Sequence, residues 1–254
     1  MDIMSIIEIP VAWILVTIHS GLVAIGMADG PGLAWVLSIV GLTIVIRLAI
    51  MPLFFRQIKA SRGMQLLQPE LRALQAKYKG KTDPVSRQAQ QQEMMALYKK
   101  HDANPMASCL PLLVQMPIFF GLFNVLRGLA PLAAGEYAKG DSIGPLTREL
   151  AAAAEKSELF GAPLSGTFMT AGNYANSLTI QIVTVCLIVF MSATQFWSMR
   201  QTMTKNMPAS ALDNPMFKQQ KMLMYAMPVI FMVTGVAFPL GVMVYWTASN
   251  LWAL

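Results

Sequence analysis

No Asp, Glu or His occurs in any long apolar stretch of this chain. The stretches are 33–55, 106–126, 177–199 and 222–254. Their makeup excludes the paired acids, histidine–metal sites and Ser–His pairs that intramembrane proteolysis needs, so an enzyme is not expected. The two cysteines, Cys109 and Cys186, both fall inside apolar stretches. They read as buried free thiols, with no disulfide framework. Histidine is scarce too, and His19 and His101 stand apart without ligand-spaced neighbours. Neither HExxH nor GxGxxG occurs. Gly80-Lys81-Thr82 has the ending of a phosphate-binding loop, but that motif requires Gly at position 75, which is Gln. No cofactor, metal or nucleotide is therefore expected. Basic residues are missing from 1–32, which excludes the charged start of a signal peptide.

What remains is strongly apolar. Hydrophobic residues make up 55% of the chain against 13% charged, and the mean hydropathy is +0.51, which is the composition of a membrane protein. A spanning helix needs about 20 apolar residues. The stretch 222–254 is longer than that and carries Phe238-Pro239-Leu240-Gly241 near its middle, which reads as a tight turn between two spans. The expected fold is all-α, with five spans at 33–55, 106–130, 176–199, 222–237 and 238–254. Residues 56–105 form a cytoplasmic helical hairpin, 131–175 an extracytoplasmic loop and 200–221 a second cytoplasmic loop. Residues 1–32 supply a linker and, over 4–27, a helix lying in the outer interface.

Charge sets the orientation. Segment 56–105 holds ten Lys/Arg against four acids, and 200–221 holds four against one. Segment 131–173 reverses this, with three against five. The positive-inside rule puts the first two in the cytoplasm, with the N-terminus outside and the C-terminus inside.

Arg47 is the one charge in the run 33–55. A charge at the bilayer centre costs roughly 2.5–3.5 kcal/mol on insertion-based scales. With no carboxylate in any span, the expectation is a water-filled cavity with a positive wall. Arg47 lies nine residues before Arg56, about 13 Å along a helix, so this cavity opens to the cytoplasm. Polar residues recur on matching faces. Thr43 lies one turn before Arg47. Ser177, Gln181, Thr184, Ser192 and Gln195 fall within an arc of about 80°. Ser108 and Gln115 share a face, as do Gly241, Tyr245 and Ser249. Hydrogen bonding between helices is the competing reading for each of these neutral groups.

After Phe55, apolar residues Met64, Leu67, Leu71, Leu74 and Tyr78 keep a helical spacing, so the helix continues with one narrow stripe. Gly80 to Pro84 breaks it, and a second, mostly polar helix runs to about Lys100. So little apolar surface predicts a mobile hairpin. Its cations Lys77, Lys79, Lys81 and Arg87 are candidates for capturing a partner. On the outer side, Leu146 to Leu159 reads as one short helix.

Several strings resemble the YidC-type membrane protein insertases of the Oxa/Alb superfamily. They are Ile46-Arg47-Leu48 with Pro52-Leu53, Leu67-Gln68-Pro69-Glu70, Glu93 to His101 with Asn104-Pro105, Cys109 to Phe119, and Phe238 to Gly241 with Tyr245-Trp246 and Ser249-Asn250-Leu251. The resemblance covers roughly residues 40–254. It implies five spans around a hydrophilic groove marked by Arg47 and open to the cytoplasm and to lipid, in a bacterial cell membrane. It adds Trp246 to the groove candidates. It implies nascent membrane proteins as substrates, with the ribosome, the Sec translocon and membrane lipids as partners and no specific nucleic acid. The stretch 238–254 covers only about 25 Å as a helix, short for a span, so further residues are expected beyond Leu254 in the natural protein, where the family often carries a basic tail. A small anion or solute transporter or channel with its site at Arg47 is the alternative, although no internal symmetry of the transporter kind is evident.

Overall fold

The computed structural model describes residues 3–81, 83–101, 110–205 and 215–253. Thr82, Asn104-Pro105, Ser108, Cys109 and the loop 206–214 lie outside the described residues, as do the side chains of Arg62, Met64 and Gln68.

The described chain is mainly helical. Its helices are α1 (Ile3–Ala24), α2 (Leu33–Leu66), α3 (Gln68–Lys77), α4 (Pro84–Lys100), α5 (Leu110–Ala134), α6 (Arg148–Glu155), α7 (Ser177–Lys205), α8 (Pro215–Thr234) and α9 (Leu240–Trp252). Among the described residues, four helical stretches are long and apolar enough to cross a membrane: Met4–Ala24, Leu33–Ala60, Leu113–Ala134 and Ser177–Gln201. Tyr225–Ala237 is a shorter apolar helix. This set differs from the expected spans in including α1, and in that the last two apolar helices are short.

α9 is the hub. It packs against α2, α5 and α7, while α8 packs on α7. α1 bridges α2 and α5. The main core joins Leu15, Trp35, Ile39, Leu42, Leu122, Leu126, Val242 and Tyr245. The faces turned away from it stay apolar: Leu113, Phe120, Val185, Val189, Val229 and Val233 are all exposed. Water does not tolerate such continuous apolar surface, whereas lipid does. Cys186 belongs to that outer surface. The expectation of a buried thiol is therefore corrected for it. In lipid an apolar run is hydrophobic on every side, so sequence alone does not say which side is inward.

Two boundaries differ from expectation. Past Phe55 the helix does not run unbroken to Tyr78: α2 ends at Leu66 and the chain breaks at Leu67 before α3. Pro69, in the first turn of α3, supplies the reason: it lacks an N–H and clashes with a preceding helical turn. The outer segment is not a single helix over 146–159 either. It contains two small antiparallel pairs, β1 (Ser142–Ile143) with β2 (Leu146–Thr147) and β3 (Glu158–Leu159) with β4 (Ala162–Pro163), around the short α6. Phe160 and Gly161 both have positive φ, 55° and 81°, as a two-residue hairpin of the primed type demands.

This segment forms a cap over one end of the bundle. α6 packs on α5, and Leu146, Ala162 and Leu164 are fully buried. The Gly241 N–H donates to the Leu164 carbonyl at 2.8 Å and the Leu240 N–H to the Gly166 carbonyl at 3.0 Å. Those are the free N–H groups at the start of α9. The Ser157 hydroxyl accepts from the Gly32 N–H at 2.9 Å, tying the cap to the entry of α2.

Candidate functional site

Arg47 sits on α2, half-buried, where α2 meets α9. One of its terminal nitrogens donates to the Ser249 carbonyl at 3.1 Å. Its guanidinium carbon lies 5.7 Å from the centre of the Phe54 ring. Its Nε is buried without a hydrogen-bond partner. Among the described residues no carboxylate pairs with it. A guanidinium carries five N–H donors, so among the described residues most of this group's capacity is unused.

Gln115 of α5 and Tyr245 of α9 complete this cluster. The Gln115 amide donates to the Tyr245 hydroxyl, which lies within electrostatic reach of Arg47. Tyr245 is 1% exposed, while Gln115 is only half-buried and opens the cluster to its surroundings. Tyr245 and Ser249 are one turn apart, so a single face of α9 presents both.

The remaining candidates separate into other places. Thr43 is buried, and its hydroxyl donates to the Ile39 carbonyl at 2.9 Å within α2. It therefore serves its own helix rather than a cavity. Trp246 projects about 100° from Tyr245 around α9. Its ring packs against Phe119 at 5.1 Å and Phe231 at 4.6 Å, and its indole N–H donates to Gln195 at 3.5 Å. Thr184 and Ser192 lie on the buried face of α7, and their hydroxyls have no partner among the described residues. Gln181 is half-buried, one turn from the start of α7 at Ser177. Among the described residues, Gln195 meets α9 through Trp246, and no hydrogen bond joins the α7 arc to Arg47.

Sequence reasoning missed Asn250. Its amide donates to the Met191 carbonyl and to the Thr194 hydroxyl, both at 3.2 Å, and locks α9 to α7. Asn250 is 5% exposed. Its position one turn after Trp246 is a signal that could have found it.

The hairpin is better pinned than expected. Leu67, Leu71 and Tyr98 form a small core with Met94 and Leu97. Lys77 pairs with Glu93 at 2.6 Å, and Glu93 also accepts from Tyr78 at 2.8 Å. At the base, Glu70 meets His101 at 3.0 Å and Lys100 at 3.5 Å. The bond from His101 holds the Glu70 carboxyl below its ordinary range, and Lys77 does the same for Glu93. Asp83 caps α4 by accepting from the Ser86 N–H at 2.8 Å. Of the four capture candidates, Lys77 is held by Glu93 and Lys81 lies over the Tyr78 ring. Lys79 and Arg87 are exposed.

Known proteins fit this arrangement. Residues 27–254 match the family described as 60Kd inner membrane protein. A Streptomyces avermitilis protein named membrane protein insertase YidC is 44% identical, over 100% of this chain and 57% of its own length. Proteins of the same name from Tropheryma whipplei and Bifidobacterium longum are 40% and 34% identical. These two matches cover 99% and 94% of this chain, and 82% and 69% of the relatives. The chain therefore spans little more than half of the Streptomyces relative.

Proposed function

The chain belongs to the 60Kd inner membrane protein family of bacterial multi-pass membrane proteins, and from that premise we propose that it inserts other proteins into the membrane. The observation that carries this reading is Arg47, half-buried between apolar helices, with most of its hydrogen-bonding capacity unused and no carboxylate beside it among the described residues.

Five spans surround the site: α2, α5, α7 and the shorter α8 and α9. The excess of Lys/Arg in 56–105 puts that hairpin in the cytoplasm and the cap outside. α1 lies along the outer interface. Glu8 pairs with Lys139 just beyond the outer end of α5, and His19 stacks on Trp35 near the outer end of α2. Those two α1 residues are 11 apart, about 16 Å along the helix. Both reach outer ends of spans, which a helix crossing the membrane upright does not do.

A segment awaiting insertion meets the hairpin first, where Lys79 and Arg87 offer free charge to an acidic flank. The flank then enters between α2, α5 and α9 and reaches Arg47. At about 4 Å and an effective dielectric near 20, that attraction approaches roughly 4 kcal/mol. It offsets part of the flank's desolvation without trapping the flank. The apolar part of the segment moves sideways into lipid, driven by hydrophobic transfer. No nucleotide is consumed. The cap keeps the outer side closed, and the membrane potential assists outward transfer of an acidic flank. The substrates are nascent membrane proteins, delivered by a ribosome or alongside the Sec translocon.

Insertion into proteoliposomes, read by protease protection, tests this. With a substrate carrying an acidic flank, Arg47→Ala is expected to reduce insertion, and Arg47→Lys to retain part of it. Equal insertion by wild type and Arg47→Ala overturns the role of the charge.

A further inference from the structure

A second arginine lies inside an apolar helix. Arg127 falls within α5, seven residues before its outer end at Ala134, or about 10 Å. It is exposed, with its guanidinium carbon 5.5 Å from the centre of the Phe123 ring. Among the described residues no carboxylate pairs with it. At 100° per residue it lies about 120° around α5 from Gln115, so it does not share the Arg47 cluster. It centres instead on the stripe of Met116 and Phe120, both 40% exposed, which lie within about 20° of it on either side. That stripe faces lipid.

Two neighbours define the spot. Asn124, one turn earlier and half-buried, has its amide nitrogen 3.7 Å from the Met4 sulfur, a weak acceptor. Gly128, next to Arg127, is packed against Ile143 and Tyr137 of the cap. The protein cap therefore reaches down to the level of Arg127. The guanidinium and the Asn124 amide lie one turn apart on α5, about 60° apart around its axis, which sets two donors at one level of the helix. A stacked guanidinium has a fixed fork that matches phosphate.

We propose that Arg127 and Asn124 bind the phosphate of an anionic phospholipid in the outer leaflet. The leaflet follows from the orientation proposed above, whereas the site itself does not depend on insertion activity. Lipid binding anchors the outer half of α5 beside the cap.

Native mass spectrometry of the purified full chain with phosphatidylglycerol or phosphatidylcholine tests the site. Wild type is expected to retain phosphatidylglycerol in preference to phosphatidylcholine. Arg127→Gln is expected to weaken phosphatidylglycerol retention roughly tenfold, as loss of one charge-assisted pair does. Arg127→Lys keeps the charge and most of the binding, and Asn124→Leu gives a smaller loss. Circular dichroism melting identifies any variant that fails to fold, in which case Arg127→Lys and Asn124→Leu carry the comparison. Undiminished retention by folded Arg127→Gln overturns the proposal. So does equal retention of phosphatidylcholine, or displacement of the lipid by millimolar inorganic phosphate. Insertion assays on the same variants keep this question separate, because lipid retention lost with insertion intact still supports the site.

Discussion

The two ends of the bundle are built differently. At the cap end, backbone groups do the joining: the first N–H groups of α9 donate to carbonyls of 164–166, and the Gly32 N–H at the entry of α2 donates to Ser157. Leu146, Ala162 and Leu164 are sealed beneath. At the other end, α2 runs on past the apolar core, and the α3–α4 hairpin packs chiefly on itself around Leu67, Leu71 and Tyr98, with ion pairs at its surface. A buried amide left without a partner costs far more than an exposed ion pair contributes. One end is therefore expensive to open and the other cheap. That asymmetry suits a site that takes in cargo from one side.

The strongest way to probe the contrast is at the site between the two ends. Arg47→Ala is expected to lower insertion of acid-flanked substrates roughly tenfold, some 1.4 kcal/mol of the attraction. Substrates with neutral flanks should change little in the same assay.

Next comes the cap. A Cβ on Gly241 would stand 2.8 Å from a Leu126 methyl and 3.1 Å from an Ile39 methyl. Gly241→Val should destabilise the bundle by about 1–3 kcal/mol, the usual cost of overpacking. A clear fall in Tm by circular dichroism checks this. An equal fall from Tyr98→Ala in the hairpin would erase the distinction. That variant is expected to loosen α3–α4 locally, seen as faster hydrogen exchange there, with the bundle Tm nearly unchanged.

A smaller effect distinguishes the ends by pH. In the hairpin, the carboxyls of Glu70 and Glu93 are held low by His101 and Lys77. Their contribution is present above the ordinary carboxylate value of 4.5 and is lost as pH falls through the lowered values. In the cap, burial raises Glu155, whose Oε1 accepts from Tyr174 at 3.4 Å. Its contribution is full below 4.5 and is lost as pH rises through the raised value. Acid should therefore loosen the hairpin and tighten the cap. Fluorophores at positions 87 and 160 would report opposite responses, and Glu155→Gln should abolish the one at 160.

Much of this was legible in the residues. The apolar stretches, the turn at Phe238-Pro239 and the break before Pro84 follow from composition and from proline and glycine. Arg47 stood out because a charge among apolar residues has no local explanation. Tyr245 and Ser249 came from helical spacing. Spacing did not reveal depth or direction: Trp246 of α9 turns to α8 and to Gln195 of α7 instead of joining Tyr245, and Thr43 satisfies itself within one turn. Arg127 escaped notice because the apolar stretch 106–126 ends just before it, although the expected span 106–130 contains it. The cap's small strand pairs were hidden because two-residue strands leave no alternation to read. In the hairpin, long-range pairs such as Glu70 with Lys100 are invisible to any local window.

The central claim is that the Arg47 cluster is reached from the hairpin end and not from the cap end. Cysteine placed at Gln115, with Cys109 and Cys186 replaced, keeps Arg47 intact and reports access directly. A membrane-impermeant maleimide should label position 115 in inside-out vesicles and leave it unlabelled in right-side-out vesicles. Labelling from the cap side alone, or from neither side, would contradict the account.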